Sequence, residues 1–272
     1  MLTQICFNKV HTWLIVISTV VLLVSACTLS GNAPTSDQIS TEPPKATDKP
    51  TSQAAPSSPI ISLDTADIAM GYWVDIVPAG GEDGPRWAQL PEYYLATLDG
   101  YSISGHRMQP QVFVLPVDAL AAANPEAGEV VDLLEALIEA PQEVSDLPFL
   151  PTLNEKQIFH THLQYLDFKS GQGLRYLTMF SQGIVPVSNV KLIYTFQGLT
   201  SDGRYYVSAI LPVNHPSLQA DETITGSEPP EFSSDYRVYL ENIAAALNPQ
   251  ASGSFIPDLT QIDAMISSLA IE

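Results

Sequence analysis

Hydrophobic and polar residues alternate with a period of two over several stretches of this chain, as expected for half-buried β-strands. Three of these stretches come first: Met70–Val77, Tyr93–Tyr101 and the continuous apolar run Gln111–Val117. Four more follow in close succession: Ile158–Lys169, Leu174–Phe180, Val190–Thr200 and Arg204–Val213. Short connections between neighbouring strands favour antiparallel pairing, so the sequence predicts a meander here.

Two glycine-containing segments mark the turns of this meander. Asp202-Gly203 lies between two alternating runs, and both residues tolerate a positive φ, which is the strongest short-range signal for a hairpin. Ser170–Gly173 connects the preceding pair. Its Gly-x-Gly pattern is followed by a strand and not by a helix, so we interpret it as a turn and not as a phosphate-binding loop.

A helical period of 3.6 residues replaces the alternation in three places. Glu126–Ala140 carries apolar residues at i, i+3, i+4, i+7 and i+8, and Pro141 ends it. Two further helices close the chain, with one apolar face formed by Tyr236, Tyr239, Leu240, Ile243 and Leu247, and another by Leu259, Ile262, Ile266 and Leu269. The expected fold class is α+β, a mostly antiparallel sheet with helices packed on it.

The amino-terminal segment has the pattern of an export signal. Lys9 precedes the apolar stretch Trp13–Leu23, and the small residues Ser25 and Ala26 precede Cys27. This run resembles a bacterial lipobox, in which the chain is cut before the cysteine and the thiol is acylated. A plain secretory signal and an uncleaved membrane helix are the alternatives, but Trp13–Ala26 is shorter than the roughly 20 residues that span a bilayer.

These features divide the chain into three parts. Residues 1–26 are the expected lipoprotein signal peptide and 60–272 the expected globular domain. Residues 27–59 between them are expected to form a tether, because 11 of the 32 residues in Thr28–Pro59 are Ser or Thr and 6 are Pro. Lipid on Cys27 would hold the protein at the extracytoplasmic face of the cell membrane.

Composition narrows the classes of partner and chemistry. The net charge of −19 argues against nucleic acid as a partner, because phosphate backbones are repelled. The two cysteines are Cys6, within the signal segment, and Cys27, so the processed chain would have no free thiol. Disulfides, a cysteine nucleophile and thiolate-bound metal are therefore excluded for the domain, and no cofactor is expected.

His160 and His162 are the candidate metal ligands. His-x-His in a strand is expected to place both imidazoles on one face, where they could bind zinc or nickel with a third ligand such as His106, His215 or a carboxylate. No catalytic residues are predicted, no metal is expected at this pair, and we expect both histidines to be dispensable for stability. The alternative hypothesis is a tethered hydrolase, with or without a catalytic metal ion.

Aromatic side chains are frequent on the predicted meander: Tyr165, Tyr176, Tyr194, Phe196, Tyr205 and Tyr206. They form either the core beneath the helices or an exposed surface that stacks a ligand. We interpret them as core, and alternation along the strands predicts that at least one is exposed.

The stretch Tyr194–Pro212, together with the closing helix around Gln261–Leu269, resembles uncharacterised bacterial lipoproteins and, in outline, PsbP-like α/β sandwiches. This resemblance implies a sandwich used for binding or assembly, with no catalytic residues to carry over. The functional hypothesis is therefore a lipid-anchored, non-catalytic binding or envelope-assembly protein, whose ligand is an unknown protein or small molecule.

Overall fold

A computed structural model describes residues 58–272 of the chain, except residues 66, 81–83 and 143. The expected signal peptide, Cys27 and nearly all of the expected tether lie outside the described residues. The described strands are β1 (Ile61–Ser62), β2 (Gly71–Val77), β3 (Tyr93–Asp99), β4 (Gln111–Pro116), β5 (Lys156–Phe168), β6 (Gly171–Ser181), β7 (Ile193–Thr200), β8 (Tyr205–Pro212) and β9 (Ala270–Ile271). The described helices are α1 (Val117–Ala123), α2 (Pro125–Glu139), α3 (Pro230–Ser234), α4 (Tyr236–Leu247) and α5 (Leu259–Ser268).

Seven strands form one antiparallel sheet in the order β2-β3-β4-β8-β7-β6-β5. The first three strands make one meander and the last four make another, running back from the far edge. The two meanders join where β4 pairs with β8, with Val112 opposite Ala209. The expectation of an α+β fold with a mostly antiparallel sheet and helices packed on it is confirmed.

Helices cover both faces of this sheet. On one face, α1, α2 and residues 147–150 pack over a cluster that includes Leu134, Tyr176 and Tyr206. On the other face, α3, α4 and α5 pack over a cluster that includes Tyr194 and Phe196. Because both faces of the sheet are covered, side chains on either face of the central strands are shielded from solvent, and β6, β7 and β8 are buried along almost their whole length.

The interpretation of the strand aromatics as core is confirmed. Tyr176, Tyr194, Phe196 and Tyr206 are fully buried, and Tyr165 on β5 is exposed, as alternation predicted for at least one of the six. The sequence placed these rings on strands but could not say that the second face of the sheet is also covered.

The β5–β6 hairpin differs from the prediction. Lys169 and Ser170 form the turn, and Gly171 and Gly173 already belong to β6. A Cβ on Gly173 would lie 2.3 Å from the carbonyl oxygen of Gln197 and 2.7 Å from the ring of Phe196. The glycine is needed because the Phe196 ring occupies the space above it, and not because the chain turns there.

Four short elements were not predicted. α1 buries one side chain, Leu120, and so shows no helical period, and α3 spans five residues. β1 and β9 pair over two residues each, joining Ile61 to Ile271 from opposite ends of the described chain. None of the helices described from residue 58 onward has the length and apolar character needed to cross a membrane.

Candidate functional site

A groove runs between the edge strand β5 and helix α4, and we call it the β5–α4 groove. β5 pairs with β6 on one side, and α4 lies along its other side. α4 begins where the Asp235 carboxylate accepts a hydrogen bond from the backbone N–H of Val238. The groove consists of two adjoining cavities of about 670 and 530 Å³, which share His160 and Ala244 in their walls.

The larger cavity has an apolar floor and a charged rim. Ile158, Phe159, Tyr236, Leu240 and Ala244 supply the apolar surface. The rim carries charges of both signs from Asp146, Lys156, Arg237 and Glu241. The arrangement suits a ligand with apolar side chains and polar groups of either sign, as in other protein binding clefts.

Buried hydrogen bonds hold the third wall of the groove, the loop ahead of β5. The Tyr176 hydroxyl donates to the Pro148 carbonyl at 2.8 Å, and Gln197 Oε1 accepts from the Leu150 N–H at 3.1 Å. Gln157 Oε1 accepts from the Leu147 N–H at 3.1 Å. These bonds satisfy loop backbone groups that would otherwise be buried unpaired, so the loop is fixed against the sheet.

His160 lies where the two cavities meet. Its ring is 6.5 Å from the ring of Tyr176, and within the described chain neither ring nitrogen makes a hydrogen bond. Burial lowers the pKa of the His160 imidazole, and the negative charge of Asp146 acts in the opposite direction. The neutral ring therefore offers one donor and one acceptor to a ligand in the groove.

His162 does not share the face of His160, so the expectation of two neighbouring imidazoles is wrong. The register of β5 against β6 shifts between Thr161 and Gln164, and His162 has a φ of 54°. This bulge turns the His162 ring toward the opposite face, where it packs against Phe255 with ring centres 5.0 Å apart. The alternation of side chains between the two faces is interrupted at a bulge, because the bulge inserts an extra residue into one strand.

The bulge is held in place by α4. The His162 N–H donates to Asn248 Oδ1 at 3.2 Å, and His162 Nε2 lies 2.8 Å from the Leu247 carbonyl oxygen. The Thr161 hydroxyl donates to the Ala244 carbonyl at 3.2 Å. Burial lowers the pKa of the His162 imidazole, which favours the neutral ring that donates to Leu247. His162 therefore has a structural role, which its position in the sequence does not indicate.

Of the other histidines considered as ligands, His215 packs against the same Phe255 ring as His162, with ring centres 4.6 Å apart, and both His215 and His106 make hydrogen bonds of their own. His106 Nε2 is 3.0 Å from the Leu192 carbonyl oxygen, and His215 is bonded to the hydroxyls of Ser217 and Ser254. In the part of the chain that the structure describes, no three His, Cys, Asp or Glu side chains are grouped so that they could hold a metal ion.

The residues of α4 that line the groove were not singled out from the sequence. Tyr236 and Leu240 belong to the apolar face predicted for this helix, and Ala244 extends this stripe by one more spacing of four. The stripe does border the core, but the same side chains are half-buried and face the cavity. No protein-family model, curated protein or solved structure matches this chain.

Proposed function

We propose that this is a lipid-anchored extracytoplasmic protein that binds an extended polypeptide segment of an envelope partner in the β5–α4 groove, without transforming it. The observation that carries this proposal is the groove itself, with its apolar floor, its rim of both charges and, at its centre, a His160 ring that makes no hydrogen bond to any described residue. The length of the groove indicates the class of ligand. The lining of the groove follows β5 from Lys156 to Leu163, which corresponds to roughly 25 Å of strand.

The anchor is the second part of the proposal. Lipid on Cys27 would attach the chain to the membrane through more than one acyl chain, enough for stable binding where a single chain is marginal. The net charge of −19 makes attachment through anionic headgroups unfavourable, so the anchor would act alone. A role in binding or assembly is also what the resemblance to PsbP-like sandwiches implies, and the structure has helices on both faces of its antiparallel sheet.

A tethered metal-dependent hydrolase receives no support from the groove. His160 and His162 face different sides of the sheet, and within the described residues no group of three His, Cys, Asp or Glu side chains could hold a metal ion at either of them. His160 also lacks the hydrogen-bonded nucleophile and orienting carboxylate that base catalysis needs, within the residues described.

Site-specific photo-crosslinking in a bacterial host tests the binding proposal. A photoreactive amino acid replaces Glu241 on the groove rim or Leu163 at the far end of the groove, in the full-length chain. Both positions are expected to give an adduct with the same protein, because an extended segment would reach both ends. Asn242, exposed on the same helix but outside the groove lining, is the matched control and is expected to give none.

Three outcomes would contradict the proposal: no adduct from either position, different partners from the two ends, or adducts with small molecules alone. His160→Gln is expected to reduce both adducts, since the imidazole lies between the two positions.

The anchor is tested separately with Cys27→Ser, which should yield an uncleaved precursor or a protein released from the membrane. An unmodified Cys27 in the mature parent chain, found by mass spectrometry, would disprove the anchor.

A further inference from the structure

The two edges of the seven-stranded sheet are protected to very different degrees. β5 carries two register shifts, and Oδ1 of Asn248, the residue that follows α4, accepts a hydrogen bond from the backbone N–H of His162. β2 pairs with β3 over seven consecutive residues without a shift. It contains no proline or lysine, and Asp75 is its single charge. Proteins commonly block sheet edges with bulges, prolines, charges or a covering helix, and β2 has one charge.

The backbone groups that β2 directs outward can be identified from the ladder. The Leu98 N–H donates to the Pro110 carbonyl, so Leu98 and every second residue of β3 bond to β4. The residues between them bond to β2, and their partners there are Gly71, Trp73, Asp75 and Val77. The N–H and C=O groups of Tyr72, Val74 and Ile76 therefore point away from the sheet, and no described residue bonds to them.

The side chains along this edge are also unusually exposed. Trp73 is 50% exposed, Val74 39% and Ile76 56%, and Met70 just before the strand is 81% exposed. Val74 and Ile76 lie on the face covered elsewhere by α3–α5, and Trp73 lies on the opposite face. An apolar strand with three free donors and three free acceptors is a template for one more strand.

We propose that the β2 edge pairs with the β2 edge of a second copy of this chain, antiparallel about a two-fold axis at Val74. In this register Val74 lies opposite Val74 of the second copy, and Tyr72 lies opposite its Ile76. All outward donors and acceptors of both strands are then used, giving six hydrogen bonds. The contact is isologous and closes after two copies.

Repulsion between carboxylates and the limited length of β2 favour this register over the neighbouring ones. Moving the axis to Asp75 sets the two carboxylates against each other and places Tyr72 opposite Pro78, which has no N–H. Moving the axis to Trp73 leaves Ile76 without a strand residue opposite it in the second copy. With the axis at Val74, Asp75 lies opposite Trp73 of the second copy. The Trp73 Nε1–H already donates to Asp75 within the chain at 3.0 Å, so in this register each Asp75 carboxylate lies opposite a neutral indole instead of a second carboxylate.

The size and charge of this contact predict a weak dimer. One strand pair of seven residues is a small interface, and each copy has a net charge of −19. Glu92 precedes β3, the next strand in, and Asp99 is its last residue, so added salt is expected to increase pairing by screening the repulsion between these acids of the two copies.

Disulfide trapping in the full-length chain tests the proposal and its register. Hydrogen-bonded antiparallel residues have Cα atoms about 5.5 Å apart, within the range that a disulfide can bridge. Val74→Cys alone is expected to form a covalent dimer upon oxidation with copper phenanthroline, because only the residue on the axis faces itself. Trp73→Cys and Asp75→Cys should crosslink when the two variants are expressed together. Each alone should crosslink poorly, since diagonal residues lie more than about 7 Å apart.

The controls are the parent chain, which reports any crosslinking through Cys6 or Cys27, and Ile224→Cys, a more exposed position in the loop between β8 and α3. The proposal is overturned if Val74→Cys gives no more dimer than Ile224→Cys. It is also overturned if Val74→Cys crosslinks mainly to a different protein, and a strong Trp73→Cys dimer would refute the register. None of these results depends on the β5–α4 groove, so the two proposals can fail separately.

Discussion

The guanidinium of Arg175 on β6 lies against the carboxylate of Asp263 on α5, with Nε 3.1 Å from Oδ1 and Nη2 3.2 Å from Oδ2. Nη2 makes the hydrogen bond, whereas Nε is close to Asp263 without being aligned for one. Arg175 is 4% exposed and also donates to the His162 carbonyl and to Gln164 Oε1, both at 2.6 Å. This buried pair therefore connects the central sheet, the closing helix and the bulge of β5.

Replacing Arg175 with Met is expected to lower the free energy of unfolding by about 3 kcal/mol, because it leaves the Asp263 carboxylate without its cation. The measurement is urea denaturation of the purified chain. Arg204→Met is the matched control, since Arg204 pairs with Asp202 on the exposed β7–β8 turn. It should leave the unfolding midpoint unchanged, and equal losses in both variants would refute a special role for the buried pair.

Gly173→Ala is expected to destabilise the protein by about 2–3 kcal/mol, since the new methyl group would overlap the Gln197 carbonyl and the Phe196 ring. Gly183→Ala is the control, because no atom lies within 4 Å of its added Cβ. The control should stay within about 0.5 kcal/mol of the parent in the same denaturation experiment. A Gly173→Ala chain as stable as the parent would mean that Phe196 does not occupy this space.

The two histidines of the His-x-His motif are now expected to differ. His162→Gln should cost about 1–2 kcal/mol, because it disrupts the bond to the Leu247 carbonyl and the packing against Phe255. His160→Gln should change stability by less than about 0.5 kcal/mol, since its ring makes no hydrogen bond within the described chain. Thermal unfolding of both variants measures the difference, and equal melting temperatures would contradict it.

Stability is expected to fall as the pH decreases from about 7 to about 5. Burial lowers the pKa of His106, His160, His162 and His215 in the folded protein. The unfolded chain, with histidine near its ordinary pKa of about 6.5, then binds more protons than the folded chain in this range. The stabilisation is present above the unfolded pKa and is lost as the pH falls through the lower, folded one.

Denaturation curves at several pH values measure this dependence. His162→Gln should flatten it, because glutamine does not titrate. A free energy of unfolding that is constant or rises between pH 7 and pH 5 would show that the histidines are not held neutral by the fold.

The local pattern of apolar and polar residues determined much of the secondary structure of this protein. The α2 and α4 helices and the Asp202-Gly203 turn followed from short segments, because each depends on neighbours within a few residues. The pairing of β4 with β8 and of β1 with β9 could not be predicted. These strands meet across long stretches of chain, and nothing in either strand specifies its distant partner.

The site depends most on tertiary structure. His160 and His162 have the spacing of one strand face, and sequence alone places their rings side by side. Asn248 and Arg175 come from a helix and a strand that are distant along the chain, and their bonds to the backbone at His162 stabilise a bulge that separates the two rings. The residue types were fixed by the sequence. Which face each ring occupies was decided by hydrogen bonds that form only when the sheet, α4 and α5 are assembled, because only then is a left-handed residue at position 162 compensated.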